Sequence, residues 1–320
     1  MPDISFGAFV PQGWKMELAS IVEPEAKWSK AVEIAQLAET LGYDSVWVYD
    51  HFHNVPRPAH EAVFECWAVM AAISQRTSRV RLGQMVTCAA YRSPAYLAKV
   101  TATVDVISGG RLDFGIGAGW YEHEFRAYGY GFPPPKDRIG ILRETVEIVK
   151  SMWTEPDTTY DGRYFQVAGA QSDPKPRQRP HPPMWIGGGG EQLTLRVVAR
   201  HADCSNFGGP PDQWARKREI LKEHCRAVGR DEAQIRKTWS PEVFVREDEA
   251  EIGAGGSRSL WGQSFESWRS GNLVGTPEQV AEKIQRYVDL GCSGIVAWSP
   301  DYPETETLRL FAEKVMPEFR

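Results

Sequence analysis

Two neighbouring residues, Asp50 and His51, close the second predicted strand and place a carboxylate beside an imidazole. Such a pair can transfer protons as acid and base, or it can hydrogen-bond a heterocycle. His53 stands two positions further on and adds a second imidazole. Two imidazoles can also bind a metal ion, but the fifth, sixth and eighth predicted strands end without the further histidines that such a site needs. We therefore predict proton chemistry here and no metal.

Glycine-rich runs end two later predicted strands. The run from Gly115 to Gly119 leads into Trp120 and His123, and Gly187–Gly190 leads into a predicted helix. Backbone without side chains lets a flat ligand approach closely, and free N–H groups at a helix start favour an anion such as phosphate. A tight turn is the alternative interpretation of the second run. Neither run has the Rossmann spacing, and the P-loop motif is absent.

Composition excludes several classes of protein. The chain has 320 residues with 37 Lys and Arg against 42 Asp and Glu, which gives a net charge of −5. A mildly acidic protein does not attract nucleic acid, and no apolar run approaches the roughly 20 residues that cross a membrane. The start of the chain does not resemble a signal peptide. The 5 cysteines are widely spaced, which favours a reducing cytoplasm over a disulfide framework.

The elements that must position these residues alternate between strand and helix. The predicted helices include 25–41, 61–75, 137–153 capped by Asp137, 277–290 capped by Thr276, and 304–316. The eight predicted strands are Ile4–Val10, Ser45–Asp50, Val80–Val86, Arg111–Gly119, Pro183–Gly187, Asp203–Phe207, Thr238–Val245 and Ser293–Trp298. This order predicts an α/β protein with a (β/α)8 TIM barrel, and a doubly wound open sheet is the alternative.

The length fits one barrel with insertions. We expect residues 1–320 to form a single TIM-barrel domain, with insertions near 154–183 and 246–274. The first insertion includes a predicted hairpin around Tyr160–Arg163, and the second is rich in glycine and serine. The 12 tryptophans suit either a large core or the walls of a pocket for a planar ligand.

The order of several segments resembles the bacterial luciferase-like monooxygenase superfamily. The segments span nearly the whole chain, and their combination is more specific than any one motif. They are Leu41–His51, Val80–Val86, Gly109–Trp120, Pro182–Gly190 and Val274–Val280. Within the superfamily, the run after Gly119 and the glycines after the fifth strand are most similar to the oxidoreductases that use the deazaflavin coenzyme F420. The resemblance implies a cofactor lying across the mouth of the barrel.

The resemblance also implies roles for individual residues. Asp50 would contact the deazaflavin ring system, and His51 would act beside its reacting face as proton donor or base. The Met85–Val86 peptide matches a position where relatives have a non-prolyl cis bond under the ring. The remaining residues implied at the cofactor are Thr87, Trp120 and His123 around the ring or its pocket, and Gly189 and Gly190 at the phosphate.

One departure from the sugar-phosphate dehydrogenase branch affects the substrate. That branch has a catalytic Glu where this chain has Trp120, and an indole where it has Val55. We therefore do not expect oxidation of glucose 6-phosphate. The first hypothesis is hydride transfer between F420 and a small organic substrate. The alternative is a two-component monooxygenase that receives reduced FMN from a separate reductase, and a third is a flavin-binding protein without activity.

The resemblance implies a homodimer as well, because relatives pair through their second and third helices. The predicted helix 61–75 carries Phe64, Cys66, Trp67, Val69 and Met70. These residues supply enough apolar surface for an interface, and the core of the chain could absorb the same surface.

Overall fold

The structure is a computed structural model that describes residues 4–254 and 256–320. Residues 1–3 and Gly255, which belongs to the second predicted insertion, lie outside the described residues. In chain order the strands are β1 (Ser5–Phe9), β2 (Ser45–Val48), β3 (Arg81–Gln84), β4 (Thr87–Cys88), β5 (Leu112–Gly117), β6 (Thr158–Asp161), β7 (Gln166–Ala170), β8 (Met184–Gly187), β9 (Cys204–Asn206), β10 (Arg236–Trp239), β11 (Val243–Val245), β12 (Leu273–Gly275) and β13 (Gly294–Ala297).

Eight parallel strands close into a barrel. Their order is β3, β2, β1, β13, β10, β9, β8 and β5, and β3 also pairs with β5. The short strand β4 adds to β5 beside this closure. The predicted TIM barrel is therefore confirmed, and the open-sheet alternative is wrong because the two end strands pair with each other.

Helices alternate with the barrel strands. They are α1 (Pro24–Thr40), α2 (Cys66–Ser74), α3 (Pro94–Ile107), α4 (Glu122–Ala127), α5 (Pro135–Thr154), α6 (Thr194–His201), α7 (Pro211–Ala227), α8 (Glu249–Ala254), α9 (Phe265–Gly271), α10 (Pro277–Asp289) and α11 (Glu306–Leu310). Among the described residues, none of these helices combines the length and the apolar composition that a membrane crossing requires.

Two element boundaries differ from the prediction for clear reasons. The seventh predicted strand, Thr238–Val245, is two strands, since β10 ends at Trp239 and β11 begins at Val243. Pro241 lies between them and has no N–H to donate to a sheet ladder. The predicted helix 61–75 begins only at Cys66, where the Glu65 carboxylate accepts a hydrogen bond from the backbone N–H of Ala68 (2.7 Å).

Of the two predicted helix caps, the one at Asp137 is wrong and the one at Thr276 is confirmed. Asp137 does not cap α5, because Pro135 already has the φ of a helical first residue and the helix begins there. The Asp137 carboxylate accepts instead from the Tyr164 hydroxyl (2.6 Å). The cap at Thr276 is confirmed, and its backbone N–H donates to Gln279 Oε1 (3.1 Å). The last predicted helix, 304–316, is α-helical only in α11 and continues as a π-helical segment.

Tryptophan side chains fill the lower part of the barrel. Trp47 on β2 and Trp185 on β8 are buried, and their ring centroids lie 4.7 Å apart. A Cβ on Gly83 of the neighbouring strand would lie 2.3 Å from the Trp47 ring, so that position must be glycine. The Trp47 indole donates to Ser45 Oγ (2.7 Å). The inside of the barrel around Trp47 and Trp185 is thus a packed core.

The two predicted insertions contain regular structure. In the first, β6 and β7 pair as the predicted antiparallel hairpin, and Glu144 on α5 accepts backbone hydrogen bonds from its turn. The second contains α8, α9 and β12, and β12 pairs with β11 in a separate two-stranded sheet. A small apolar cluster around Trp268 and Phe244 packs this segment.

Candidate active site

A cavity of about 400 Å³ opens at the carboxyl ends of the barrel strands. Asp50 and His51 after β2, Met85 and Val86 after β3, and the glycines that end β5 and β8 all contribute to its walls. Parallel strands bring these ends together at one rim, which is where TIM-barrel enzymes have their active sites. Of the residues predicted at the strand ends, Asp50, His51, Met85, Val86 and Trp120 therefore line one cavity.

His51 is held by a buried carboxylate. Its Nδ1 donates to Glu124 Oε2 (2.8 Å), and the His51 side chain is 12% exposed while that of Glu124 is 0% exposed. Because the carboxylate accepts the Nδ1 proton, Nε2 is the ring nitrogen that carries no proton in the neutral imidazole, and His51 lines the cavity. This arrangement orients the ring and leaves Nε2 able to accept or return a proton.

Glu124 gathers several donors around one carboxylate. It accepts hydrogen bonds from the backbone N–H groups of Phe52 (2.8 Å) and His53 (2.9 Å) and from the Tyr91 hydroxyl (3.0 Å). Burial opposes ionisation of Glu124, but the hydrogen bond and charge of His51 and the two backbone donors outweigh it and lower its pKa. The same environment, burial first, raises the pKa of Tyr91. Glu124 therefore remains a carboxylate at neutral pH.

Aromatic rings surround the imidazole. The Trp14 ring stacks on His51 with centroids 4.1 Å apart and an angle of 2° between the planes. Trp120 and Tyr121 meet His51 edge to face at 5.9 and 6.0 Å. These contacts fix the tilt of the ring and reduce its contact with water.

Asp50 has a different set of partners from His51. Its carboxylate accepts from both terminal nitrogens of Arg92 (2.7 and 3.0 Å) and from the backbone N–H of Cys88 (2.8 Å). The Cys66 thiol donates to it as well (3.1 Å). Asp50 lines the cavity but does not form a pair with His51, and its predicted contact with a cofactor ring stays a prediction.

The chemistry of these partners argues against a metal ion at this strand end. Ligand atoms of Asp50, Glu65 and Cys66 lie within 4.8 Å of one another, but the Arg92 guanidinium already binds both carboxylates. His51 and His53 also have separate partners, since His53 Nδ1 lies 2.9 Å from His123 Nε2. The two imidazoles considered as metal ligands therefore contact different partners, Glu124 for His51 and His123 for His53.

A surface without side chains faces Val86. The peptide bond between Met85 and Val86 is cis, as the resemblance implies. A Cβ on Gly117 would lie 2.6 Å from Val86 Cγ2, and one on Gly187 would lie 2.7 Å from Val86 Cγ1. We call Gly117, Gly187 and Gly188 the glycine floor. Only glycine leaves room for the Val86 side chain at Gly117 and Gly187. The three floor glycines line the cavity and project no side chains into it, so the floor fits a flat ring system such as a flavin or deazaflavin.

The residues predicted at the phosphate lie next to the floor. The Lys217 ammonium group on α7 is so close to Gly189 that a Cβ there would lie 2.8 Å from its Nζ. Glu191, which would repel an anion, pairs with Arg216 (3.0 and 3.1 Å). The Lys217 ammonium group beside the glycine run therefore fits a phosphate. The assignment of Gly189 and Gly190 as phosphate-binding residues stays a prediction.

Two predicted pocket residues lie away from the cavity wall. Thr87 is fully buried, and its hydroxyl donates to Gln84 Oε1. His123 is at the outer end of the pair with His53. Neither of these two residues, both within the described part of the chain, lines the cavity, whereas Met85, Val86 and Trp120 do.

Sequence reasoning missed Glu124, Trp14 and Arg92. Glu124 belongs to the Glu-His-Glu run after Tyr121, so a second acid near the strand end was a usable signal. Trp14 precedes the first helix in a loop, and Arg92 lies in the turn before α3. No periodicity marks either residue, because their roles depend on contacts across the barrel mouth.

A parallel barrel with an oriented histidine beside a glycine floor at its mouth defines a TIM-barrel enzyme that works with a planar cofactor. A family model described as luciferase-like monooxygenase matches residues 5–263. The chain belongs to this family.

Known relatives extend the comparison. A protein named F420-dependent glucose-6-phosphate dehydrogenase from Amycolatopsis mediterranei is 26% identical over 90% of this chain and 94% of its own length. A solved F420-dependent secondary alcohol dehydrogenase with an F420–acetone adduct has the same fold, with a TM-score of 0.85, 21% identity and 99% of each chain covered. A monooxygenase from Streptomyces bottropensis has a TM-score of 0.82 at 23% identity, over 99% of this chain and 100% of its own.

Proposed function

We propose that this protein is an oxidoreductase that transfers a hydride between coenzyme F420 and a small organic substrate. The observation that carries the proposal is that His51 lines the cavity beside the glycine floor, with its Nδ1 bound to Glu124 (2.8 Å) and its ring stacked on Trp14. The names of relatives such as the dehydrogenase from Amycolatopsis mediterranei favour F420. FMN is the alternative cofactor.

Coenzyme F420, when bound, supplies the hydride acceptor or donor. The chain supplies its position and the proton. In oxidation of an alcohol, His51 Nε2 accepts the hydroxyl proton, and in reduction of a carbonyl it returns that proton to the oxygen. The ionised Glu124 stabilises the protonated imidazole between these events. The ring would be held by Met85, Val86 and the glycine floor, and its edges would contact Asp50 and Trp120. The phosphate would be held by Gly189, Gly190 and Lys217.

Oxygen consumption separates this proposal from the monooxygenase alternative, which is motivated by the description of the family model and by the name of the Streptomyces bottropensis neighbour. Purified protein is mixed with F420 and alcohol or ketone substrates without oxygen, and separately with reduced FMN, substrate and oxygen. We expect a change in the F420 spectrum under the first condition. Substrate-dependent oxygen uptake with reduced FMN, and no F420 turnover, would refute the proposal and require a separate reductase.

Further proposals concern assembly and location. The larger apolar residues of α2 are buried within the chain, but Tyr96 (62% exposed) and Ile107 (42% exposed) on α3 border a groove between α2 and α3. We propose that two copies pair through these helices. Since the 5 cysteines are free and buried, we also propose a cytoplasmic location. We propose further that residues 1–320 work as one barrel domain with the two insertions.

A further inference from the structure

Two tryptophans at the barrel mouth expose far more surface than the core tryptophans. Trp120, after β5, is 53% exposed, and Trp261, in the turn before α9, is 49% exposed. Their ring centroids lie 6.1 Å apart and their planes meet at 69°. We call Trp120 and Trp261 the aromatic corner. Exposed indole faces that meet at an angle form a notch in which a flat ring can contact one face and one edge.

The aromatic corner adjoins the proton-transfer group. The Trp120 centroid is 5.9 Å from that of His51, with the planes at 71°, and Trp120 stacks on Tyr121 at 5.2 Å. Trp14 covers a face of the His51 ring. A molecule in the corner would therefore lie next to the His51 imidazole, which lines the cavity.

The cavity has little charge to bind a charged substrate. Among the described residues that line it, Arg138 is the one side chain with a fixed positive charge. Its guanidinium lies over the Phe132 ring (4.1 Å) and donates to the carbonyl oxygen of Pro133 (2.7 Å). Asp50, the lining carboxylate, is neutralised by Arg92. Binding of a phosphorylated substrate takes several convergent donors, whereas these walls favour an uncharged ring.

We propose that the aromatic corner is the substrate site for compounds with a flat, uncharged ring, and that the ring holds the reacting alcohol or carbonyl group against His51. The proposal rests on the proposed function, since His51 is the group that exchanges the proton. Trp120 and Trp261 are then specificity-determining residues, and they select the ring while His51 recognises the oxygen.

Binding of acetophenone and acetone tests this proposal, because the two methyl ketones differ only by a phenyl ring in place of a methyl group. Dissociation constants are measured by saturation-transfer NMR on wild-type protein and on Trp261→Ala and Trp261→Phe, each with and without oxidised F420. We expect Trp261→Ala to weaken acetophenone binding about tenfold and to leave acetone binding within about twofold. Trp261→Phe, which retains a ring, restores most of the affinity.

Tyr128 provides a matched control. It is an equally exposed aromatic residue (49%) at the end of α4, and its ring contacts Phe52 and His53 and is not part of the aromatic corner. Tyr128→Ala should leave both dissociation constants unchanged. Equal binding of the two ketones by the wild type, or the same loss for both in Trp261→Ala, would overturn the proposal.

The measurements with and without F420 distinguish a failure of the proposed function from a failure of the aromatic-corner proposal. If F420 binds and the variants do not discriminate between the ketones, the proposed function stands and the aromatic corner is refuted. If F420 does not bind, the proposed function fails. In that case, loss of acetophenone binding by Trp261→Ala in the F420-free protein supports the ring site, and unchanged binding refutes it.

Discussion

The two sides of the barrel mouth are built in opposite ways. On the floor side, Gly117 and Gly187 lack side chains, so Val86 packs directly against their backbone and the cavity wall stays flat. On the histidine side, Trp14, His51 and Glu124 fill the space with stacked rings and hydrogen bonds. The first side provides a flat surface for a ring, and the second fixes one atom that handles a proton. Because the two sides are built differently, cofactor binding and proton transfer should respond to different substitutions.

Removal of the imidazole should produce the largest effect. His51→Ala eliminates the group that exchanges the substrate proton, and we expect kcat to fall about a hundredfold to ten-thousandfold. The dissociation constant for F420 should change less than about threefold, because the floor remains intact. Steady-state kinetics and a fluorescence titration measure the two quantities. His53→Ala, an adjacent histidine paired with His123, is the control, and unchanged kcat in His51→Ala would remove the proton role.

Adding a side chain to the glycine floor should weaken F420 binding strongly and change kcat little. In Gly187→Ala the new Cβ would lie 2.7 Å from Val86 Cγ1, so Val86 must shift into the space for the ring. We expect F420 affinity to fall about tenfold to a hundredfold, while kcat at saturating cofactor changes less. Gly271→Ala is the control, since nothing lies within 4 Å of a Cβ there. Undiminished F420 affinity in Gly187→Ala would mean that the ring does not lie on this floor.

Neutralising the buried carboxylate should affect stability and turnover together. Glu124→Gln removes a charged acceptor of four hydrogen bonds, and we expect a loss of about 2 kcal/mol in the free energy of unfolding and about tenfold in kcat. Denaturant unfolding measures the first quantity. Glu122→Gln, an exposed acid on the same helix paired with Arg126, should cost under about 0.5 kcal/mol. Equal stability losses in both variants would contradict the role of Glu124.

The pH dependence of stability has a definite sign at this residue. The pKa of Glu124 is lowered in the folded state, so the ionised carboxylate stabilises the fold fully above its unfolded pKa of about 4.3. That contribution is lost as the pH falls through the lower folded pKa. We therefore expect the free energy of unfolding to decrease less steeply with acid in Glu124→Gln than in the wild type. Parallel curves for the two proteins would refute this.

The phosphate side should show the smallest effect. Lys217 lies against Gly189 on an exposed helix face, and Lys217→Met should weaken F420 binding about threefold to fivefold. High salt should reduce the difference, because it screens an exposed charge. Lys222→Met on the same helix, which pairs with Glu219 (3.8 Å), should have no effect. A loss that is the same for Lys222→Met would indicate a general change in charge rather than a phosphate site.

Sequence patterns predicted the floor better than the histidine side. Parallel strands end at one rim, so Asp50, His51, Met85 and the glycine run at Gly187 could be brought together from strand order alone. The partner of His51 could not, because Glu124 is 73 positions away and reaches the imidazole only through the packing of the short helix α4. The pairing of Asp50 with Arg92 likewise depends on tertiary contacts, and the sequence pattern favoured the adjacent His51.

Titration of the purified protein with oxidised F420 and, in parallel, with FMN tests whether the glycine floor and the oriented His51 form the site of a deazaflavin-dependent oxidoreductase. We expect F420 to bind more tightly than FMN, and His51→Ala to retain this preference. Tighter binding of FMN than of F420 would refute the assignment of the cofactor.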